Sequence, residues 1–92
     1  MIKYVWKYVI IRDKTIHQVP SGGIVRHVDN QFEKVCVWIE VDPNRSTEPR
    51  QFEIYNTGQS IYYDMGIDRK YLGTVKLKGD KTIVHVYEYT GV

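Results

Sequence analysis

The stretch Glu33–Val41 constrains the fold more than any other. Its large residues alternate, with Val35, Val37, Ile39 and Val41 on one side and Cys36, Trp38 and Glu40 on the other. A repeat of two residues marks an extended strand, whereas a helix needs apolar residues every three to four positions. Because both sides carry large side chains, this strand is expected inside a sheet rather than at its edge. No other window restores a convincing helical repeat, so the fold has to be built from strands.

Other runs share the pattern and are rich in the β-branched and aromatic residues that suit a half-buried pleated surface. Tyr4–Ile11 places Tyr4, Trp6, Tyr8 and Ile10 on one face and Val5, Lys7, Val9 and Ile11 on the other. Arg12-Asp13-Lys14 reads as a charged turn, and Thr15–Val19 as a short strand ending at Pro20. Pro20-Ser21-Gly22-Gly23 is a break, since proline fixes φ and the glycines admit positive φ. Ile24–Val28 is a further strand, followed by an expected turn at Asp29-Asn30-Gln31. The polar segment Asp42–Pro49 is expected as an exposed tip between two antiparallel strands. Arg50–Tyr55 follows, with Phe52 and Ile54 inward, then an irregular Asp64–Asp68. Tyr71–Lys78 puts Tyr71, Gly73, Val75 and Leu77 on one face, and Lys78-Gly79-Asp80-Lys81 is a hairpin turn leading into Thr82–Tyr89. Short strands with frequent turn signals predict an all-β fold of about seven short, mainly antiparallel strands, in a compact sandwich or small barrel.

Composition narrows the function classes. Ninety-two residues predict a single domain, spanning residues 1–92, with one modest core. The formal charge of +2 is too small to imply a nucleic-acid partner by itself. Cys36 is the one cysteine, which excludes an intramolecular disulfide, and its apolar surroundings predict a buried, inert thiol. No apolar run approaches the roughly 20 residues of a membrane helix, and Lys3 and Lys7 interrupt any leader-like region. A cytoplasmic, non-membrane protein is the expectation.

No catalytic constellation stands out. His17, His27 and His85 lie on separate strands with no metal-ligand spacing, so no metal or cofactor is predicted. Glu33, Glu40, Glu53 and Glu88 alternate with apolar residues as acids on a solvated strand face do; Glu40 and Glu53 are expected to face each other across Asp42–Pro49. Phosphate loops, Ser/His/Asp orders and Cys-x-x-Cys motifs are missing. An enzyme is therefore not expected.

The densest chemistry lies in Phe52–Tyr63, where a strand meets an Asn56-Thr57-Gly58 turn and an aromatic patch. Tyr55, Asn56, Thr57, Gln59, Tyr62 and Tyr63 bring phenols, amides and a hydroxyl together, and Arg69 and Lys70 add cations nearby. Aromatic faces stack on bases and cations hold phosphates, so these eight residues form the candidate ligand site. The aromatic fraction of 13% exceeds what one small core absorbs, and a homo-oligomer is expected to cover the surplus.

The chain also resembles a family of short proteins encoded by bacteriophages and prophages and without an assigned function. The resemblance rests on Ile2–Tyr8, Val19–Val28, Val37–Pro43, Ile54-Tyr55-Asn56-Thr57-Gly58-Gln59-Ser60-Ile61, Tyr71-Leu72-Gly73-Thr74-Val75 and Val84-His85-Val86-Tyr87-Glu88. Similar proteins carry His where this chain has Gln59, which counts against a required imidazole at the turn. The resemblance implies a phage origin, action inside a bacterial host cell, and no particular activity. The reading it favours is a non-enzymatic binding protein that counters host antiviral defence, by sequestering a nucleotide-like small molecule or by blocking a host immune protein. The alternatives are a barrel that binds single-stranded nucleic acid and an accessory protein of the virion or of lysogeny.

Overall fold

The computed structural model describes residues 1–91 and holds seven strands: β1 (Tyr4–Ile10), β2 (Lys14–Pro20), β3 (Ile24–Gln31), β4 (Lys34–Val41), β5 (Thr47–Asn56), β6 (Arg69–Leu77) and β7 (Thr82–Tyr89). They form two antiparallel sheets, ordered β1-β4-β3 and β2-β5-β7-β6. The architecture is a sandwich. As its two-faced pattern requires, β4 lies between β1 and β3.

Alternation fills the space between the sheets. Val35, Val37, Ile39 and Val41 of β4 meet Val19 of β2, Phe52 of β5, Val75 of β6 and Val84 and Val86 of β7, all buried, and Ile10 closes one end. Cys36 is buried too, on the opposite face of β4. Such a core is small and mostly valine, so its ends matter. At one end Arg50 and Glu88, both on the inward side of their strands, pair through two bonds of 2.6 and 2.7 Å, and Arg50 Nη1 donates to the Gly23 carbonyl at 2.6 Å. This clamp ties the larger sheet to the turn that carries the chain into β3. Along a side, β3 and β6 meet without a ladder: Asn30 Nδ2 donates to the Lys76 carbonyl at 3.0 Å, and the Lys78 amide donates to Glu33 Oε2 at 2.7 Å.

Some expectations are corrected. The turn after β3 falls at Phe32-Glu33, not at Asp29-Asn30-Gln31, because both residues adopt positive φ (54° and 61°) and Gln31 faces Lys34 across the ladder. That is the left-handed pair a two-residue hairpin demands, usually supplied by Asn-Gly. Here Asn30 Oδ1 accepts from the Glu33 amide at 2.8 Å and offsets the strain locally. The segment after β4 is not a hairpin tip. It carries the chain from one sheet to the other, and β5 already begins at Thr47, with Pro49 opposite Gln18 of β2. Glu40 and Glu53 therefore lie in different sheets and do not face each other; each pairs with an arginine instead, Arg26 and Arg69. Finally, the register of β6 shifts between Tyr71 and Gly73. This bulge at Leu72 turns Tyr71 to the outer face while Val75 stays inside, whereas simple alternation had put the two together.

The inward approach at Gly23 is tight: an added Cβ would stand 2.9 Å from Ile39 Cγ2, 3.2 Å from Val19 Cγ1 and 3.3 Å from Arg50 Nη1. Gly23→Ala is expected to destabilise the fold by about 1–3 kcal/mol through overpacking, measured as a lowered urea midpoint with an unchanged slope.

Candidate functional site

β5 and β6 both run antiparallel to β7, which lies between them, so they are parallel to each other. Parallel strands cannot be joined by a tight turn, and the connection has to cross the sheet. Residues 57–68 make that crossing over the outer face of the larger sheet. They form a strap, and the space between strap and sheet is the candidate site.

The strap starts in a tight turn. The Gln59 amide donates to the Asn56 carbonyl at 3.0 Å, and Gly58 takes φ +87°, the left-handed geometry that a type II turn puts at its third residue. Gln59 closes the turn again from its side chain, Oε1 accepting from the Asn56 amide at 2.9 Å. At the far end, the amides of Thr90 and Gly91 both donate to the Asp68 carbonyl at 3.0 Å. A Cβ on Gly91 would overlap the Asp68 nitrogen and come within 2.6 Å of the Gly66 carbonyl, so the close approach requires glycine there.

Between those ends the strap is pinned by Arg69. Its Nε donates to Glu53 Oε1 at 2.5 Å, reaching diagonally across β7, and its Nη1 donates to the Tyr62 carbonyl at 2.5 Å. The guanidinium also lies over aromatic rings, 4.9 Å from the centroid of Tyr63, 5.9 Å from Tyr55 and 5.7 Å from Tyr89. Side-chain exposure is 7% for Arg69 and 1% for Glu53, so the pair is out of water although it lies on the outside of the sheet. Glu53 is fully engaged: Gln51 Nε2 and the Tyr55 hydroxyl also donate to it, both from its own strand.

The cleft under the strap has a volume of about 500 Å³ and is lined by Lys14, Gln51, Glu53, Tyr55, Ser60, Tyr62, Ile67, Arg69 and Tyr89. Its walls are phenol rings, its floor is the Glu53–Arg69 pair, and Lys14, in register with Glu53 on β2, stands at its rim. Lys14 makes no ion pair among the described residues, so its ammonium is available to an anion. Beside the cleft, the tyrosine cluster continues edge to face from Tyr55 to Tyr87 (5.8 Å) and from Tyr87 to Tyr71 (5.4 Å).

The eight residues expected to form one site are divided. Tyr55, Tyr62 and Arg69 line the cleft, and Tyr63 covers the Arg69 guanidinium from the strap. Arg69 is committed to Glu53 and to the strap, so it is not a free cation for a phosphate. Asn56 and Thr57 lie at the other end of the sheet, bordering a shallow depression with Lys81, Thr82 and Ile83. Thr57 Oγ1 there lies 2.8 Å from His85 Nε2, whose Nδ1 lies 3.0 Å from Thr74 Oγ1. Gln59 is spent on its own turn. Lys70 is exposed opposite Glu88, in register with the inward face and turned away from the cleft. The cleft residues that sequence reasoning missed are Lys14, Gln51, Glu53, Ser60, Ile67 and Tyr89; Glu53, expected on a solvated strand face, is buried. Gln51 and Tyr89 carried a signal, since both alternate onto the outer face with Glu53. The histidines do not converge: among the described residues no group of three or more His, Cys, Asp or Glu could hold a metal ion. His17 instead spans the sheets, its Nε2 lying 2.7 Å from the Val9 carbonyl. Among the described residues no helix is long and apolar enough to cross a membrane.

These features define a two-sheet β-sandwich whose larger sheet is strapped across its outer face. The chain belongs to the family described as a domain of unknown function (DUF7352), whose model matches residues 1–91. No curated protein and no solved structure matches it.

Removing one partner of a buried ion pair strands the other charge in a poor dielectric. Glu53→Gln is therefore expected to cost about 3–5 kcal/mol in urea unfolding, and the double replacement Glu53→Met with Arg69→Met to cost less than the single one. The tyrosines supply a pH signature. Burial pushes the Tyr8 phenol above the usual tyrosine range, with the Arg50 charge opposing; burial and then the Glu53 charge push Tyr55 up as well. A raised phenol favours the protonated native state, so its contribution is whole below about pH 10 and is lost as pH climbs through the folded value. Stability is expected to fall above about pH 10, and the pair Tyr8→Phe and Tyr55→Phe to flatten that fall, read from thermal melts across the alkaline range.

Proposed function

We propose that this chain is a non-enzymatic binding protein whose strapped cleft holds a small anionic molecule of nucleotide type. The observation that carries the reading is the tyrosine-walled cleft with an uncommitted lysine at its rim. Its volume of about 500 Å³ suits a small-molecule site, for which roughly 300–1,000 Å³ is usual. Tyr55, Tyr62 and Tyr89 offer rings to a base or sugar. The hydroxyls of Tyr55 and Tyr62 donate to Glu53 and Asp64, and the Gln51 amide donates to Glu53; all three keep their oxygens as acceptors, and Ser60 adds a hydroxyl. Lys14 takes the place first given to Arg69 and Lys70, as the cation for a phosphate. With Glu53 neutralised by Arg69, the floor does not repel an anion.

Binding without turnover is the form of the reading that these residues favour. The one carboxylate lining the cleft, Glu53, takes bonds from Arg69, Gln51 and the Tyr55 hydroxyl together, so it is occupied as an acceptor and poorly placed to act as a base. The likeness to phage-encoded proteins supports a biological setting: sequestration of a host antiviral signal in the bacterial cytoplasm.

Thermal-shift and calorimetric titration with cyclic di- and oligonucleotides and with ADP-ribose derivatives tests the proposal. At about 100 times its Kd a ligand adds about 2.7 kcal/mol to stability, a readily measured shift for a domain of this size. Lys14→Ala and Tyr89→Ala are expected to abolish the shift while the far-UV spectrum stays native. Absence of stabilisation by every member of the panel, at concentrations far above any useful affinity, would sink the proposal.

A further inference from the structure

β1 is an edge strand with little to guard it. Antiparallel pairing with β4 uses alternate residues of β1, and the Val9 carbonyl, which accepts from or faces His17 of β2, points away from β4. By the same alternation the backbone N–H and C=O groups of Val5 and Lys7 also point to the open side, and extending β1 by two residues on pairing would add Ile2 and Lys3 to that edge. A free edge of this kind is a template for another strand unless charges stand along it. Here the charges are turned away: Lys3 Nζ lies 3.9 Å from Glu40 and Lys7 Nζ bonds Gln31 Oε1, both over the outer face of their own sheet. What stands at the edge is apolar. Ile2, Tyr4, Val5 and Trp6 are 69, 50, 54 and 41% exposed, and the rings of Tyr4 and Trp6 stack at 6.4 Å.

We infer that this edge is the interface with a second copy of the chain, β1 pairing antiparallel with β1 across a two-fold axis at Tyr4. Three registers compete. Centring on Trp6 needs the backbone at Val9, where His17 and β2 already sit. Centring on Val5 sets Lys3 directly opposite Lys7 of the other copy, and like charges in that position are destabilising. Centring on Tyr4 avoids both faults. It sets Tyr4 against Tyr4, Ile2 against Trp6 and Lys3 against Val5, and it uses only the stretch that β2 leaves open. The charges are compatible as well. Glu40, which already pairs with Arg26 and lies 3.9 Å from Lys3 of its own copy, faces Val5 in the β4 register, so the other copy's Lys3 joins this cluster from across Val5 on the same face. Glu40 and that lysine are about 10 Å apart at the backbone, two strand spacings, which the two side chains can span. The result is one continuous sheet, β3-β4-β1 joined to its symmetry mate.

Sedimentation velocity and native mass spectrometry test the inference. The wild-type chain is expected at twice its monomer mass. Val5→Pro removes an outward N–H that β4 does not use, and it is expected to halve the mass while the far-UV spectrum stays native. Directly opposed residues in a non-hydrogen-bonded pair have Cα atoms about 4.5 Å apart, within disulfide reach. In a Cys36→Ala background, Tyr4→Cys is thus expected to oxidise to a covalent dimer and Trp6→Cys to stay uncrosslinked. A monomer at the highest soluble concentration, a dimer that survives Val5→Pro, or cross-linking through Trp6→Cys in place of Tyr4→Cys would overturn it.

Discussion

Glu53 and Arg69 sit on strands that β7 separates, and the bond between them lets residues 57–68 lie down on the sheet. A parallel crossover in so small a protein has no helix to cover it, so the crossing chain must find its own contacts. Arg69 supplies them by binding Glu53, the Tyr62 carbonyl and the ring of Tyr63 together. The cleft follows as a by-product: a strap pinned at Arg69 and tied at Asn56 and Asp68 leaves unfilled space over Gln51, Tyr55 and Tyr89.

The protein repeats this device on its other side. Arg50 and Glu88 pair inside the sandwich and hold the Gly23 turn, as Arg69 and Glu53 pair outside it and hold the strap. Two ion pairs shielded from water add little net stability over apolar replacements, but breaking either one is costly. Their physical value here lies in geometry. A valine-rich core packs in more than one arrangement, whereas Arg50 donates two bonds to Glu88 in one geometry and Arg69 divides its donors between Glu53 and the Tyr62 carbonyl in another. Each pair thus selects which loop lies on which face.

Much of the fold was legible in local pattern, because alternation is a property of neighbours in the chain. The central place of β4, the inward direction of Phe52 and the burial of Cys36 all follow from it. The turn at Phe32-Glu33 was not legible, since two non-glycine residues adopt positive φ there with the help of Asn30. Nor was the bulge at Leu72, which depends on pairing with β7 and decides the face that Tyr71 occupies. Of the residues that chemical density grouped around Phe52–Tyr63, the fold brings Tyr55, Tyr62 and Arg69 together in one cleft. Asn56, Thr57 and Lys70 are near them in sequence and apart from the cleft in space.

By itself the sequence determined a β-strand protein with a small aliphatic core, a left-handed glycine at the strap's first turn and an aromatic surplus. Tertiary structure alone decided which strands pair, and hence that β5 and β6 are parallel with β7 between them. Pairing joins residues distant in the chain, and the free energy separating one strand order from another resides in those distant contacts. Whether Glu53 is a solvated acid or the buried partner of Arg69, and whether Lys14 and Tyr89 belong to one cleft, depends on that order and on nothing local.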